Sequence, residues 1–351
     1  MEQFADRLKS ARVMAGLSLQ DLADKLQNRV TRQALHKYEK GEFMPDSEML
    51  GLLCDALDVR PDYFYRKTEV KMGEISFRKR QSFPVKDRKG LEERAKDKLE
   101  RYLELEKILN ISTDFSLNFK DRPIKSNEDV EKVASDLRKA WKLGNDPIFN
   151  LIELLEDNKI KVIEIESADT FDGLSAWAND GTIPVIVLNN SNIKSLDRKR
   201  FTALHELAHL VLELDEYTEK QKEKFCNYFA GAMLLPEDTL RKEVGNSRTK
   251  LLLPELGAIK KQYGISIQAI AYRMKDLGII TLSYFKQFMF FINQSGFKIE
   301  EPFLYEGQEE SRRFNQLLFR ALGEELISMS KAASLNNQKL AEFREKNLMI
   351  A

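Results

Sequence analysis

Apolar positions along the first 65 residues recur every three to four places and are broken at short intervals. Phe4, Leu8, Ala11 and Met14 form one helical stripe that stops at Gly16. Ser18 is a good cap for a second stripe through Leu22, Ala23 and Leu26. Thr31 caps a third that ends at Gly41, and Pro45-Asp46 open a fourth holding Met49, Leu52, Leu53 and Leu57. This pattern predicts an all-α unit over residues 1–66.

The texture changes at Lys67. Phe77-Arg78-Lys79-Arg80 and Lys86-Asp87-Arg88-Lys89 are basic and flank Pro84, which predicts a linker over 67–89 and a charged helix over 90–108 within a connecting region 67–125. From 126 to 290 two periods mix. Helical spacing marks 127–143 and 147–157. Val162, Ile163 and Ile165 mark a strand over 161–165, and two more strands, 174–178 and 183–188, bracket the turn Asn179-Asp180-Gly181. Helices are expected at 198–214, 219–235, 254–263 and 266–277. A final helical pair, 311–328 and 330–346, falls in a helical C-terminal region 291–351. The fold class expected is therefore mainly α with a small β-sheet, an α+β arrangement, with no internal repeat of fixed period.

Charge constrains the function. Lys plus Arg and Asp plus Glu each number 56, so the chain as a whole is no cationic glove, and any DNA contact must be local. The third helix supplies such a surface. Thr31, Arg32 and Gln33 stand at its exposed start, where a helix laid in the major groove meets base edges, and Arg and Gln read guanine and adenine bidentately. Lys37 lies one turn on, and Gln20, at the start of the preceding helix, is placed for a phosphate. Balanced charge over 1–66 leaves a small protein-binding module as the alternative. With Arg12, Gly16-Leu17-Ser18, Leu22-Ala23, Tyr38-Glu39-Lys40-Gly41, Pro45 and Leu57, residues 7–64 resemble the XRE/Cro-repressor type of helix-turn-helix. That resemblance implies binding to a double-stranded DNA operator, usually as a homodimer.

Only three histidines occur, and two of them fall in His205-Glu206-x-x-His209. On a helix, positions i and i+4 share a face, so two imidazoles can grip one ion while the intervening glutamate reaches water beside it. Zinc is the expected cofactor, with Glu206 as general base. A catalytic zinc site has three protein ligands and an open position. No third histidine lies downstream, so the third ligand should be a carboxylate: Glu213, Asp215, Glu216, Glu219 and Glu223 are the local candidates. Glu223 stands on a helix packed by Phe225, Phe229, Ala232 and Met233, with Asn227 one turn further as a supporting partner. Cys226 is a softer alternative ligand or a core residue.

Gly173-Leu174-Ser175, Ile186 to Asn189, Arg200-Phe201-Thr202, the paired histidines, and Glu223-x-x-Cys226-Asn227 through Leu234-Leu235-Pro236 resemble the ImmA/IrrE metallopeptidase family. The resemblance implies that Glu223 is the third ligand, and that the domain over 126–290 is a zincin-like endopeptidase cleaving a transcriptional regulator. The setting would be stress, phage defence or a mobile element, and single-stranded DNA is an expected activator. The basic linker is an expected cut site if the chain cleaves itself. The competing expectation is a non-enzymatic repressor or antitoxin whose metal fold senses or dimerises. Cys54 and Cys226 imply no disulfide framework, and no apolar run is long enough to span a bilayer, so a cytoplasmic, membrane-free protein is expected.

Overall fold

The computed structural model describes residues 1–66, 70, 85–113, 115, 122–167 and 171–347. The first unit is α1 (Glu2–Met14), α2 (Leu19–Lys25), α3 (Arg32–Glu39) and α4 (Ser47–Leu57), followed by a 3-10 turn at Pro61–Tyr65. The polar residues at the breaks are caps. Ser18 and Asp21 form a reciprocal capping box on α2, Thr31 accepts from the Ala34 amide at 3.1 Å, and Asp46 accepts from the Met49 amide at 2.8 Å. Leu8, Leu22, Leu35, Leu53 and Phe64 are fully buried at the centre. The Arg12 guanidinium forks onto Glu39 and ties α1 to α3.

The helix expected at 90–108 starts earlier, as α5 (Val85–Ile108). Lys86 to Lys89 therefore form its first turn rather than linker, and Arg88 meets Glu92 at 3.1 Å across i,i+4 spacing. Phe77 to Arg80 lie outside the described residues. Helix α5 is held to the first unit by the buried Arg7–Glu100 pair at 2.6 Å.

Next come α6 (Asn127–Ala140), α7 (Leu151–Asp157) and a three-stranded sheet of β1 (Lys161–Ile165), β2 (Gly173–Ala178) and β3 (Ile183–Asn189). The order is β1-β3-β2, with β1 parallel and β2 antiparallel to β3. Every residue of β3 is buried. Ile186 and Leu188 face the main core, while Val185 and Val187 pack with Leu91, Ala95 and Leu99 of α5. Cover on both faces explains the unbroken apolar run. Asn179, Asp180 and Gly181 take positive φ in the predicted turn.

Two long helices, α8 (Leu196–Val211) and α9 (Glu219–Leu234), pack along each other, with α6 against α9 and β2 against α8. Around them lie α10 (Glu237–Val244), α11 (Leu253–Tyr263), α12 (Ile267–Asp276) and α13 (Leu282–Gln294). The sequence reading omitted α10 and α13. The first is one short amphipathic piece directly after Pro236. The second has aromatic residues on several faces, which blurs its period.

The expected C-terminal pair is instead three helices: α14 (Arg313–Gly323), α15 (Met329–Leu335) and α16 (Leu340–Asn347). The breaks fall at Glu325 and Asn337, both at positive φ. Leu317, Leu318, Ala321, Leu335 and Phe343 pack onto Tyr102, Leu105 and Leu109 from α5 and the turn after it. Among the described residues no helix is long and apolar enough to cross a membrane.

Candidate functional site

Helix α8 buries Ala203, Leu204, Leu207, Ala208 and Val211 and turns His205 and His209 towards α9. The two Nε2 atoms come within 3.2 Å of each other. From α9, Glu223 brings one carboxylate oxygen to 3.5 Å from His205 Nε2 and the other to 3.5 Å from His209 Nε2. Zinc holds nitrogen and oxygen ligands at about 2.0–2.1 Å, so ligand atoms in a tetrahedron stand about 3.3 Å apart. The 3.2 Å between the two nitrogens fits one edge of that figure, and the Glu223 carboxylate sets one oxygen 3.5 Å from each ring. The donor set, two neutral imidazoles and a carboxylate, also suits the ion chemically.

A second donor set is nearby. His205, His209 and Cys226 offer atoms within 4.8 Å of one another. The sulfur, however, approaches Nδ1 of His209, at 3.5 Å, on the ring edge away from the paired Nε2 atoms. It sits beside the ring rather than at the convergence point, and Cys226 is fully buried. Nδ1 of His205 meets Oδ1 of Asn227 at 2.9 Å, a contact that orients the ring and leaves Nε2 for the ion.

Glu206, next to His205, is held from the sheet: the Ser175 hydroxyl donates to its Oε2 at 2.9 Å. Gly173 makes that approach feasible, since a Cβ there would lie 2.6 Å from Thr202 Cγ2 and 3.0 Å from Glu206 Cγ. His205, Glu206, His209, Glu223 and Asn227 line one open cleft of about 1620 Å³, with Gly173, Leu174 and Trp177 of β2 along one side. Glu219 instead pairs with Lys222, and α9 begins four residues before Glu223, as the expected span 219–235 has it.

In the first unit, Gln20, Thr31, Arg32, Gln33 and Lys37 are all exposed, while Leu35 is buried and Ala34 and Tyr38 are half-buried beneath them. Gln20 donates to Asp24 at 2.8 Å, and Lys37 lies over the ring of Phe43. The arrangement leaves the start of α3 facing outwards, the side a major groove meets.

Residues 8–64 match the helix-turn-helix family, and residues 155–275 match the IrrE N-terminal-like domain family of peptidases. The chain joins an XRE-type helix-turn-helix domain to an ImmA/IrrE-family domain. Similarity to a curated protein is confined to a shorter stretch: a SPbeta prophage-derived uncharacterized HTH-type transcriptional regulator, YonR of Bacillus subtilis strain 168, is 38% identical over 68 residues. That stretch is 19% of this chain and 61% of the relative's length. The helix-turn-helix domain implies binding to double-stranded DNA and supports a role in transcription regulation.

Within the IrrE-like domain, Ser175 and Arg200 stand in the quoted motifs, but their partners are not visible in the sequence. Ser175 acts across 31 residues, and nothing local distinguishes it from any strand serine. Arg200, one turn before the histidines, is fully buried and paired with Glu309 of the C-terminal segment. Arg273 and Tyr272 also line the cleft and are engaged in packing: Arg273 binds Glu131 at 2.9 Å and stacks on Tyr228, and Tyr272 meets Phe285 edge-on.

Proposed function

We propose that this chain is a DNA-binding transcriptional regulator whose IrrE-like domain is a zinc-dependent endopeptidase acting on a partner regulator. The observation that carries the reading is the convergence, at an open cleft lined also by Glu206, of two Nε2 atoms 3.2 Å apart and the Glu223 carboxylate with one oxygen 3.5 Å from each, a donor set that would suit zinc.

His205, His209 and Glu223 would hold the ion. When bound, zinc supplies a Lewis acid that brings the pKa of water towards 7 and polarises a carbonyl. Glu206 receives the proton from the attacking water and passes it to the leaving amine. Ser175 keeps the carboxylate aimed, and Asn227 keeps His205 in the tautomer with Nε2 free. Strand β2 is bonded to β3 on one side, and its other edge suits pairing with an extended peptide.

The substrate class follows from the fusion. A peptidase tethered to an operator-binding domain is concentrated beside the products of neighbouring regulatory genes. The prophage origin of the YonR relative favours a mobile-element or phage-response setting. Zinc, a homodimer on a palindromic operator, single-stranded DNA as activator, a cytoplasmic location, and self-cleavage within 67–89 belong to the same reading. Of that last segment, residues 85–89 are helical, which narrows an exposed cut site to positions before Val85.

One observation favours a non-enzymatic reading: Cys226 Sγ beside His209 would make a closed sensor site if sulfur replaced Glu223. Glu206→Gln separates the two. The purified full chain is analysed by native mass spectrometry for metal and incubated with the products of adjacent genes. The peptidase reading expects one equivalent of zinc in both proteins and cleavage by the parent alone. Unchanged regulation by the variant in cells, with no cleavage by either protein, rejects it.

A further inference from the structure

The last three helices of the described chain repeat the first three. Phe4, Leu8 and Ala11 of α1 recur 310 positions later as Phe314, Leu318 and Ala321 of α14, and in both sets the latter two are fully buried. Ser18 and Ser328 each cap a seven-residue helix, accepting from the Asp21 and Lys331 amides at 3.1 and 3.2 Å. Leu22-Ala23 and Ala332-Ala333 bury the same turn of that helix. The helices then end alike, in left-handed Gln27 (φ 55) and Asn337 (φ 52). The closing bond also matches: Asn28 N to Ala23 O at 3.0 Å, and Gln338 N to Ala333 O at 2.9 Å. The third helices, α3 and α16, have eight residues each and bury their fourth, Leu35 and Phe343, at 0% exposure. The turn before the third helix is shorter by two residues in the second copy, which hides the correspondence from a search for a fixed period.

We propose that α14–α16 is a second helix-turn-helix unit and that its ligand is duplex DNA. Charge favours that ligand. Residues 312–347 carry seven Lys or Arg against four Asp or Glu, and the equivalent stretch of the first copy, residues 2–39, carries seven against five, so the second copy is as cationic as the first. Phosphate neutralisation supplies most of the sequence-independent affinity for duplex DNA. Lys339, Arg344 and Lys346 are exposed on or beside α16, the position of the groove-facing helix in the first copy. Glu342 and Glu345 share that helix, so this unit adds modest, phosphate-dominated affinity rather than tight base reading.

The two copies are held side by side on α5. Arg7 of the first reaches Glu100, while Lys331 of the second reaches Glu104 at 2.6 Å and Arg101 donates to Leu335 O at 3.1 Å. The Ser334 hydroxyl donates to Asp62 in the 3-10 turn that closes the first unit, tying the second copy to that unit. One chain thereby presents two DNA-facing helices.

The test uses the full chain and reads duplex binding alone, independently of any peptidase activity. Anisotropy of a labelled mixed-sequence duplex of about 40 base pairs is followed between roughly 50 and 200 mM salt. The starting protein carries Arg32→Ala, Gln33→Ala and Lys37→Ala to weaken the first unit. To it are added Lys339→Ala, Arg344→Ala and Lys346→Ala, all exposed positions, with circular dichroism checking the fold. The expected result is a further drop in affinity of about tenfold at the lower salt, and a salt slope shallower by two to three. Unchanged affinity and slope overturn the proposal. So does a loss of self-association in sedimentation velocity with duplex affinity intact, which would make α14–α16 a protein-docking face.

Discussion

Asn227 Oδ1 stands 2.9 Å from Nδ1 of His205, one helical turn beyond Glu223 on the same face of α9. A single helix therefore delivers both a carboxylate to the convergence point and an acceptor that fixes the facing imidazole. Removing such a partner typically costs 10–100-fold in metal affinity. Asn227→Ala is expected to weaken zinc binding by about that factor, measured by competition with a chromophoric chelator, and Asn227→Asp to restore most of it. Equal affinity for all three proteins would show that the contact does not orient the ring.

Ser175 holds Glu206, the proposed general base, from the sheet. Its loss removes one hydrogen bond that aims the Glu206 carboxylate and touches no proposed ligand. A hydrogen bond to a charged group is worth about 1.5–3 kcal/mol. Ser175→Ala is therefore expected to lower kcat at least about tenfold, since 1.4 kcal/mol is a factor of ten, with zinc content and KM unchanged. A matching loss of zinc would assign Ser175 to the metal site instead.

Much of this was legible in the chain because the signals are local. His205, Glu206 and His209 lie within one helical turn and a half, and Arg32 and Gln33 follow the Thr31 cap. The proposed third ligand needed a choice among five acids, and packing of the helix around Phe225 and Phe229 pointed to Glu223, which the fold brings within 3.5 Å of both rings. What stayed hidden depends on long-range contacts or on shifted periods. Ser175 meets Glu206 only because Gly173 lets β2 touch α8. Arg200 meets Glu309 across 109 positions. The second three-helix copy is offset by a turn of different length.

The Arg200–Glu309 pair fastens the C-terminal segment beneath the helix that carries the histidines. Both side chains are 0% exposed. The carboxylate also accepts from the Leu151 amide at 2.9 Å, and the guanidinium donates to Ile148 O at 2.8 Å. Breaking such a pair leaves an uncompensated buried charge, worth about 3–5 kcal/mol. Glu309→Ala is expected to lower the unfolding free energy by that order, read from urea titrations. Arg200→Met combined with Glu309→Leu is expected to regain a large part, because it removes both charges. A double variant no more stable than Glu309→Ala would show that the surrounding backbone bonds, not the charge, hold the segment.

Glu156 makes stability depend on pH. Burial pushes its carboxyl from the ordinary 4.5 up to about 7, although Ser311 donates to it at 2.8 Å and Lys161 lies nearby. The folded protein thus binds this proton more tightly than the unfolded chain does. The resulting stabilisation is full below about pH 4.5 and is lost as pH rises to about 7, a swing of about 3 kcal/mol at most. Glu156→Gln keeps the acceptor for Ser311 and cannot ionise. The variant is expected to match the parent near pH 4.5 and to exceed it at pH 8, compared by urea unfolding at the two pH values. A gap of the same size at both would mean that Glu156 stays ionised in the fold, balanced by Lys161.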